Sequence, residues 1–193
     1  GNGVHLWNTP GPKVVGNTIR GGRDGIFTTT SERNTFADNT FRDLRFGVHY
    51  MYTNDSRVSG NVSENNHAGY VIMFSHRIEA RNNLSRADRD HGFLFNYAND
   101  AEVAGNTVVA GGEKCVFIYN AHQNRFVRNL FRGCGIGIHF TAGSERNTVT
   151  RNAFVANRTQ VKYVGTRDVT WAEDGVGNYW SDNAAFDLDG DGI

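Results

Sequence analysis

Apolar residues recur along the chain at a fixed interval of 22 to 23 residues. Each copy contains two apolar columns separated by one variable position, and this period-two alternation is typical of a strand with one buried face. The first column reads Val4, Ile26, Val48, Tyr70, Phe93, Val116, Ile138 and Val161. The second reads Leu6, Thr28, Tyr50, Ile72, Phe95, Ile118, Phe140 and Tyr163.

Two further short strands follow in each copy. One contains the column Val14, Phe36, Val58, Ala80, Val103, Phe126 and Val149, and the other points Ile19, Phe41, Val108, Phe131 and Phe154 inward. Three short strands in 22 to 23 residues, with no helical pattern between them, predict an all-β parallel β-helix in which each coil stacks on the one before. We expect right-handed coiling, with the β-helix over residues 1–170 and residues 171–193 leaving the coil.

A column of asparagines keeps the same period at the turns. It consists of Asn17, Asn39, Asn61, Asn83, Asn106, Asn129 and Asn152. Asn tolerates the left-handed backbone conformation, and an inward Asn can hydrogen-bond to the equivalent Asn one coil away. The composition agrees, because 23 glycines and only 2 prolines suit a chain of many tight turns. We therefore predict that this column is structural.

The charges and the apolar runs of the sequence argue against several classes of function. Lys and Arg total 20 and Asp and Glu total 20, so the net charge is zero, which argues against a general nucleic-acid binder. No apolar run reaches the roughly 18 residues of a membrane span, and no signal peptide is recognisable at the first residues. Opposite charges follow each other from coil to coil, as in Arg57 and Glu79, which predicts surface ion pairs instead of a pair of catalytic carboxylates.

The outward positions of the first strand carry the candidate ligands. Met51 and Met73, the only methionines, occupy one outward column in adjacent copies, and His49 precedes Met51 by two residues on the same face. His67 and His76 flank this group in the sequence. Two thioethers with imidazoles form the soft ligand set that selects Cu(I). The pattern indicates a copper site, but the same residues could also form an apolar patch covered by another chain.

Two other features leave open questions. Cys115 and Cys134 lie 19 residues apart, nearly one coil, so they could form a disulfide in an oxidising compartment or remain buried thiols. Asp187, Asp189 and Asp191 match the first half of a calcium loop whose later ligands would lie beyond Ile193. We expect a calcium-like half loop or a solvated acidic tail there, at the end of a piece of a longer chain.

Three segments resemble the NosD family: GVHYMYTND at 47–55, AGYVIMFSHRIEARNN at 68–83 and GNYWSDNAAFDLDGDGI at 177–193. The resemblance implies a periplasmic, non-enzymatic protein. It further implies copper binding, a membrane ABC transporter as partner, and support for assembly of the copper centre of nitrous oxide reductase. The family's ligands do not transfer to individual residues, so the candidates remain those of the columns.

Two other classes of function use the same fold. A carbohydrate-active β-helix, such as a lyase, hydrolase or epimerase, would need Asp, Lys, Arg or His converging in an outward groove. The two outward columns of the first strand contain no Asp or Glu and a single Lys, Lys162. A plain binding or adhesin rod would need no cluster of Met and His. Copper titration and a screen for unsaturated sugar products separate these classes.

Overall fold

The computed structural model describes residues 1–141, 143–165 and 167–183, and all the regular structure in them is β-strand. In chain order the strands are β1 Val4–Trp7, β2 Lys13–Val15, β3 Thr18–Arg20, β4 Asp24–Thr29, β5 Thr35–Ala37, β6 Thr40–Arg42, β7 Phe46–Met51, β8 Arg57–Ser59, β9 Val62–Glu64, β10 Ala68–Met73, β11 Glu79–Arg81, β12 Leu84–Arg86, β13 His91–Asn96, β14 Glu102–Ala104, β15 Thr107–Val109, β16 Lys114–Tyr119, β17 Arg125–Val127, β18 Leu130–Arg132, β19 Ile136–Phe140, β20 Thr148–Thr150, β21 Ala153–Val155, β22 Thr159–Tyr163 and β23 Tyr179–Trp180.

The strands form three parallel sheets, one strand per sheet in each coil. The first sheet runs β1-β4-β7-β10-β13-β16-β19-β22, the second runs β2-β5-β8-β11-β14-β17-β20, and the third runs β3-β6-β9-β12-β15-β18-β21-β23. The predicted parallel β-helix is confirmed, with about eight coils. The described part of the chain has no helix long and apolar enough to cross a membrane.

Each coil bends at residues in the left-handed backbone conformation. The bend after the second sheet uses Gly16, Asp38, Gly60, Asn82, Gly105, Arg128 and Arg151 in successive coils, with φ between 53° and 70°. Glycine, Asn and Asp adopt this conformation at little cost, which explains their abundance in the sequence. Because each bend recurs at the same place in every coil, strand register is kept along the whole rod.

The interior is filled by the apolar columns that the sequence predicts. Large side chains from all three sheets are fully buried, among them Phe36, Phe41, Tyr50, Tyr70, Phe93, Phe95, Phe126, Phe131, Phe140 and Phe154. Aromatic rings also stack between coils, as in Tyr70 and Phe93, whose ring centres are 4.8 Å apart. The buried Tyr70 hydroxyl donates to the carbonyls of Asn61 and Leu84, so it carries no unpaired donor into the core.

The predicted asparagine ladder is present. In each step the side-chain oxygen of one Asn accepts hydrogen bonds from the backbone and side-chain nitrogens of the Asn one coil earlier, as between Asn61 and Asn83. The ladder continues from Asn152 to Asn178, which the sequence columns did not include. These bonds satisfy buried amides at every turn, so the column is structural as predicted.

Cys115 and Cys134 form a disulfide, which closes the question that the sequence left open. Cys115 lies on β16 and Cys134 in the turn before β19, and their Cα atoms are 5.6 Å apart. The bond links two neighbouring coils. Disulfides persist in oxidising compartments, so its presence agrees with a protein that works outside the cytosol.

Opposite charges meet on the surface as the sequence predicts. The guanidinium of Arg77 pairs with Asp55 at 2.6 Å, and that of Arg57 pairs with Glu79 at 3.0 Å. Both pairs are largely exposed, so each contributes little to stability but favours the native register of the coils.

Residues 167–183 continue the hydrogen-bonding pattern of the rod. The strand β23 pairs in parallel with β21, and Thr170 bridges to Thr148 of the second sheet. Trp180 stacks on the buried ring of Phe154 at 4.5 Å and covers this end of the core. That residues 171–193 leave the coil stays a prediction, because residues 184–193 lie outside the described part.

Candidate functional site

Met51 and Met73 face each other on the outer surface of the first sheet. They are register partners at the ends of β7 and β10, so they lie one strand spacing apart, about 4.8 Å. Both side chains are half-buried. The same outward column continues through Thr29 below and Asn96 above. The sequence columns therefore predicted this pairing from the repeat alone.

His49 lies on the same face, two residues before Met51 and about 7 Å along the strand. Its neighbours Val48 and Tyr50 belong to the core, which leaves the His49 side chain outside the sheet. It is nevertheless only 6% exposed, because the rings of Phe27 and Phe46 lie 4.9 and 5.2 Å from its own. The site is therefore more enclosed than an open surface patch.

A buried carboxylate holds the imidazole of His49. Asp24, which is 1% exposed at the start of β4, accepts a hydrogen bond from Nδ1 of His49 at 3.1 Å. The guanidinium of Arg45 donates to both oxygens of the same carboxylate, from Nε at 2.8 Å and from Nη2 at 2.6 Å. Arg45 also lies over the ring of Phe46 at 4.4 Å. These contacts form a connected group on the outside of the first sheet.

The charge of Asp24 is stabilised by its partners. Burial acts to raise the pKa of this carboxyl, but the hydrogen bonds from His49 and Arg45 and the positive charge of Arg45 outweigh it. The pKa of Asp24 is therefore below its ordinary value, and the group is ionised at neutral pH. An ionised carboxylate only accepts hydrogen bonds, so Nδ1 of His49 carries the hydrogen.

Nε2 of His49 and Oδ1 of Asn96, the residue that follows Met73 in the outward column, are buried polar atoms without a hydrogen-bond partner. The same holds for Nδ1 of His91 and of His139 further along this sheet. Buried polar atoms without partners are rare in native proteins and call for an explanation. The atoms of His49 and Asn96 lie on the face that carries the two thioethers, so an ion bound there would give them a partner.

The structure separates His67 from the methionine pair. His67 precedes β10 and Met73 ends it, so about 20 Å of strand lies between them. His67 is exposed and pairs with Asp90 at 3.6 Å. His76 lies beyond the opposite end of β10, and its backbone nitrogen donates to Asn54. Of the predicted ligands, Met51, Met73 and His49 share one face, His76 follows it, and His67 is too distant to share their ion.

An exposed column of aromatic rings borders the methionines. It consists of Tyr52, Phe74 and Tyr97, each of which follows a member of the methionine column, and of Tyr119, the register partner of Asn96; neighbouring ring centres are 5.0, 5.2 and 5.9 Å apart. The three tyrosines are 55%, 41% and 44% exposed. Tyr52, Phe74 and Tyr97 have φ near 50°, and so do Asn8, Thr30 and Asn120 at the same bend of other coils. We call these four residues the aromatic column.

Two more histidines lie further along the outer face of the first sheet. The rings of His91 and His139 lie on either side of Phe117, at 5.3 and 5.2 Å. Burial and the nearby charge of Lys114 lower the pKa of both histidines, so both are neutral at pH 7. The Lys114 ammonium lies over the Phe117 ring at 4.9 Å. These histidines are separated from each other by a full ring and form no joint ligand set.

The composition of the face restricts which metal could bind. Among residues 1–141, 143–165 and 167–183, no three or more His, Cys, Asp or Glu side chains cluster in a way that could hold a metal ion. A site for zinc or another ion that needs several such ligands is therefore not built into this part of the chain. Two adjacent thioethers and one imidazole fit Cu(I), which accepts soft ligands in low number.

The family described as "Periplasmic copper-binding protein (NosD)" matches residues 1–185 of the sequence. The chain belongs to the NosD family. Two curated NosD relatives, each named "Probable ABC transporter binding protein NosD", come from Stutzerimonas stutzeri and Pseudomonas aeruginosa. They are 41% and 42% identical to it over 207 and 206 aligned residues, which include the whole chain. The chain spans 48% of the length of each relative.

Membership in the NosD family confirms the resemblance that the sequence segments indicated. The family is described as periplasmic and copper-binding, which agrees with the disulfide and with the soft ligands on the first sheet. The relatives are named as binding proteins and not as enzymes. A groove of about 560 Å³ lies elsewhere, at the bend between the second and third sheets beside Arg128 and Arg151.

Asp24 and Arg45 are the members of this candidate site that the sequence columns missed. Asp24 begins β4, and its register column continues through Phe46, Ala68, His91, Lys114, Ile136 and Thr159. Asp24 is the acidic residue of this mixed column, and that was the available signal. Asp187, Asp189 and Asp191, the predicted calcium half loop, lie outside the described residues, and neither the fold nor the family description supports calcium.

Proposed function

We propose that this NosD chain binds Cu(I) through Met51, Met73 and His49 as a periplasmic accessory protein for maturation of the copper centre of nitrous oxide reductase. The single observation that carries the proposal is the register pairing of the two methionines on the sheet face that also carries the buried, unpartnered Nε2 of His49. Cu(I) is here a cargo that the protein receives and passes on. The rigid sheet fixes the spacing of the ligands, which reduces the entropy lost on binding.

The ligand positions support reversible binding. Both thioethers are half-buried, so an incoming partner protein can reach them, whereas Nε2 of His49 is covered and becomes accessible when neighbouring side chains move. A low number of soft ligands suits an ion that must leave again. His76, one short turn beyond Met73, remains a candidate for an additional ligand.

The aromatic column supports a second role, docking of a protein partner. Exposed tyrosines are enriched in protein interfaces, and these rings lie directly beside the proposed copper ligands. We propose that an ABC transporter component or the reductase contacts this surface while copper is transferred. The names of the two relatives favour the transporter as one such partner.

Competition with a Cu(I) chelator tests the copper site. Met51→Leu together with Met73→Leu conserves volume, so the fold should lose less than about 1.5 kcal/mol while both soft donors disappear. We expect the Cu(I) affinity of this double variant to fall at least tenfold. Ascorbate, instead of a thiol, should keep copper reduced, because a thiol would compete for Cu(I) and attack the disulfide.

Thr29→Val is the matched control for this experiment. Thr29 is the register neighbour of Met51 in the same outward column and has no soft donor, so its substitution should leave the affinity unchanged. Equal copper uptake by the parent and the double methionine variant would eliminate the ligand role. The face would then be an apolar docking surface, and binding of the transporter components by a Tyr52→Ser, Tyr97→Ser variant would be the decisive measurement.

A further inference from the structure

We propose that Asp24 is a positioning residue for copper, because it holds the imidazole of His49 through Nδ1 and leaves Nε2 as the free donor atom. Arg45 supports this arrangement by fixing the carboxylate from its other side. The inference rests on the proposed function, since it concerns how one of the copper ligands is oriented. Neither the family description nor the names of the relatives assign a role to Asp24 or Arg45.

The hydrogen-bonding roles follow from the contacts. Both oxygens of Asp24 accept from Arg45, and Oδ2 also accepts from Nδ1 of His49 at 3.1 Å. A guanidinium has no acceptor, so Asp24 must provide acceptors on both sides. Nδ1 of His49 consequently carries a hydrogen, and the form of an imidazole that binds a metal is the neutral one. The lone pair then lies on Nε2, the atom that would bind the metal.

The environment of Nε2 points to a ligand. This atom is buried, belongs to a side chain that is 93% buried, and has no hydrogen-bond partner. The core does not use it, because the ring lies on the outer face of the sheet with Phe27 and Phe46 around it. A nitrogen kept free of partners in a covered position costs stability unless something occupies it.

The arrangement also matches how proteins support metal-binding histidines. Such a histidine usually donates its second ring N–H to a carboxylate or carbonyl, which fixes its tautomer and its orientation. Loss of such a partner typically weakens metal binding about 10- to 100-fold. Asp24 lies on the neighbouring strand β4, three residues before Phe27, which is the register partner of His49. The contact therefore runs diagonally from one strand to the next.

The first measurement needs no copper. Nitrogen-15 spectra of the histidine rings in the metal-free protein should show His49 protonated at Nδ1 and unprotonated at Nε2. His49→Phe identifies its signals by their disappearance. A ring protonated at Nε2 in the parent protein would overturn the inference, whatever copper does.

The second measurement compares Cu(I) affinities by chelator competition. Asp24→Asn should bind Cu(I) about 10- to 100-fold more weakly than the parent protein and should lose the Nδ1–H signature of His49. The matched control is Asp88→Asn, which alters another buried carboxylate with no contact to His49 and should leave the affinity unchanged. This control separates a positioning role from a general effect of removing a buried charge.

The outcomes distinguish the inference from the proposed function. No Cu(I) uptake by the parent protein would overturn the proposed function, and the positioning role would fall with it. Equal Cu(I) uptake by the parent protein and by Asp24→Asn would overturn the positioning role alone and leave the methionine site intact. If Asp24→Asn fails to fold, Arg45→Gln, which removes the second partner of the same carboxylate, should weaken binding in the same direction, and unchanged affinity there would contradict the inference.

Discussion

Hydrogen bonds between neighbouring coils hold individual buried side chains of this protein in place. Asp88 is an example, because its carboxylate is fully buried and accepts from the hydroxyls of Ser63 and Ser85 and from the backbone of Asn66. Burial raises the pKa of Asp88, and the hydrogen bonds only partly offset this effect. Ionised Asp88 therefore costs stability at neutral pH.

Replacement of Asp88 by Asn should stabilise the protein at pH 7. The folded-state pKa of Asp88 is raised, so its favourable contribution is present in full below the unfolded pKa and is lost as pH rises through the folded pKa. The advantage of Asp88→Asn should therefore shrink as pH falls towards 4. Thermal unfolding as a function of pH measures it, and each kcal/mol corresponds to about 2–4 °C.

The control for this prediction is an exposed carboxylate. Asp55 pairs with Arg77 at the surface, where the hydrogen bonds from Arg77 lower the pKa of the carboxyl. Asp55→Asn should change the melting temperature little and give no gain at pH 7. An Asp88→Asn variant that is less stable than the parent at pH 7 would show that the carboxylate is needed by its three donors.

The residues of the candidate site differ in how far the sequence predicts them. Met51 and Met73 occupy one column, so the repeat alone predicts their contact. The contact between Asp24 and His49 joins two different columns, and it depends on how far each side chain reaches across the sheet. Column alignment carries no such information. The burial of His49 was missed for the same reason, since Phe27 and Phe46 cover it from neighbouring positions.

At the scale of elements, the asparagine ladder joins the strands at the turn between the second and third sheets. The side chain of Asn83 donates to the carbonyl of Val58 and to Asn106, and its oxygen accepts from Asn61. No water reaches these groups, because Asn61, Asn83 and Asn106 are buried. Each step of the ladder thus depends on the amides one coil before and after it.

Replacement of Asn83 by Leu should destabilise the rod by at least about 2 kcal/mol. The change leaves several buried donors and acceptors without partners, and each such group costs about 1–3 kcal/mol. Denaturant unfolding followed by circular dichroism measures the loss. Asn17→Leu is the matched control, because Asn17 belongs to the same column but is exposed in the first coil and should tolerate the change. Equal midpoints for parent and Asn83→Leu would contradict the ladder's role.

The sequence predicts the positions of the strands well, but it predicts the backbone conformation of only some of the bends between them. Strand positions follow from apolar columns because burial of one face decides them. The left-handed conformation at Gly16 or Asn82 follows from residue type, but the same conformation at Tyr52 and Phe74 does not, since bulky residues rarely adopt it. There the repeat imposes the conformation, because every coil must bend at the same place to keep its strands in register.

For the whole molecule, coils contact mainly their immediate neighbours, so stability is close to a sum of coil and interface contributions. The disulfide between Cys115 and Cys134 is the only covalent cross-link between coils in the described part of the chain. It closes a loop across the 19-residue separation of the two cysteines. In the unfolded chain this loop restricts the conformations that are available.

Reduction of this disulfide should lower stability by about 3 kcal/mol, the value expected for a loop of this length. Chemical denaturation with and without reductant measures the difference. Cys115→Ser with Cys134→Ser should reproduce the reduced protein and lose its sensitivity to reductant. A parent protein whose unfolding midpoint is unchanged by full reduction would contradict this prediction.

The stacking of near-identical coils has a consequence for the evolution of this protein. A solenoid of this kind can gain or lose one whole coil by a duplication or deletion of 22 to 23 residues, because new neighbours pair in the old register. Such events are tolerated where adjacent coils are interchangeable. We expect them not to be neutral between Asp24 and Met73, where the proposed ligands and their proposed support come from three consecutive coils, or between Cys115 and Cys134. Length variation in natural sequences should therefore avoid these two stretches and accumulate in the rest of the rod.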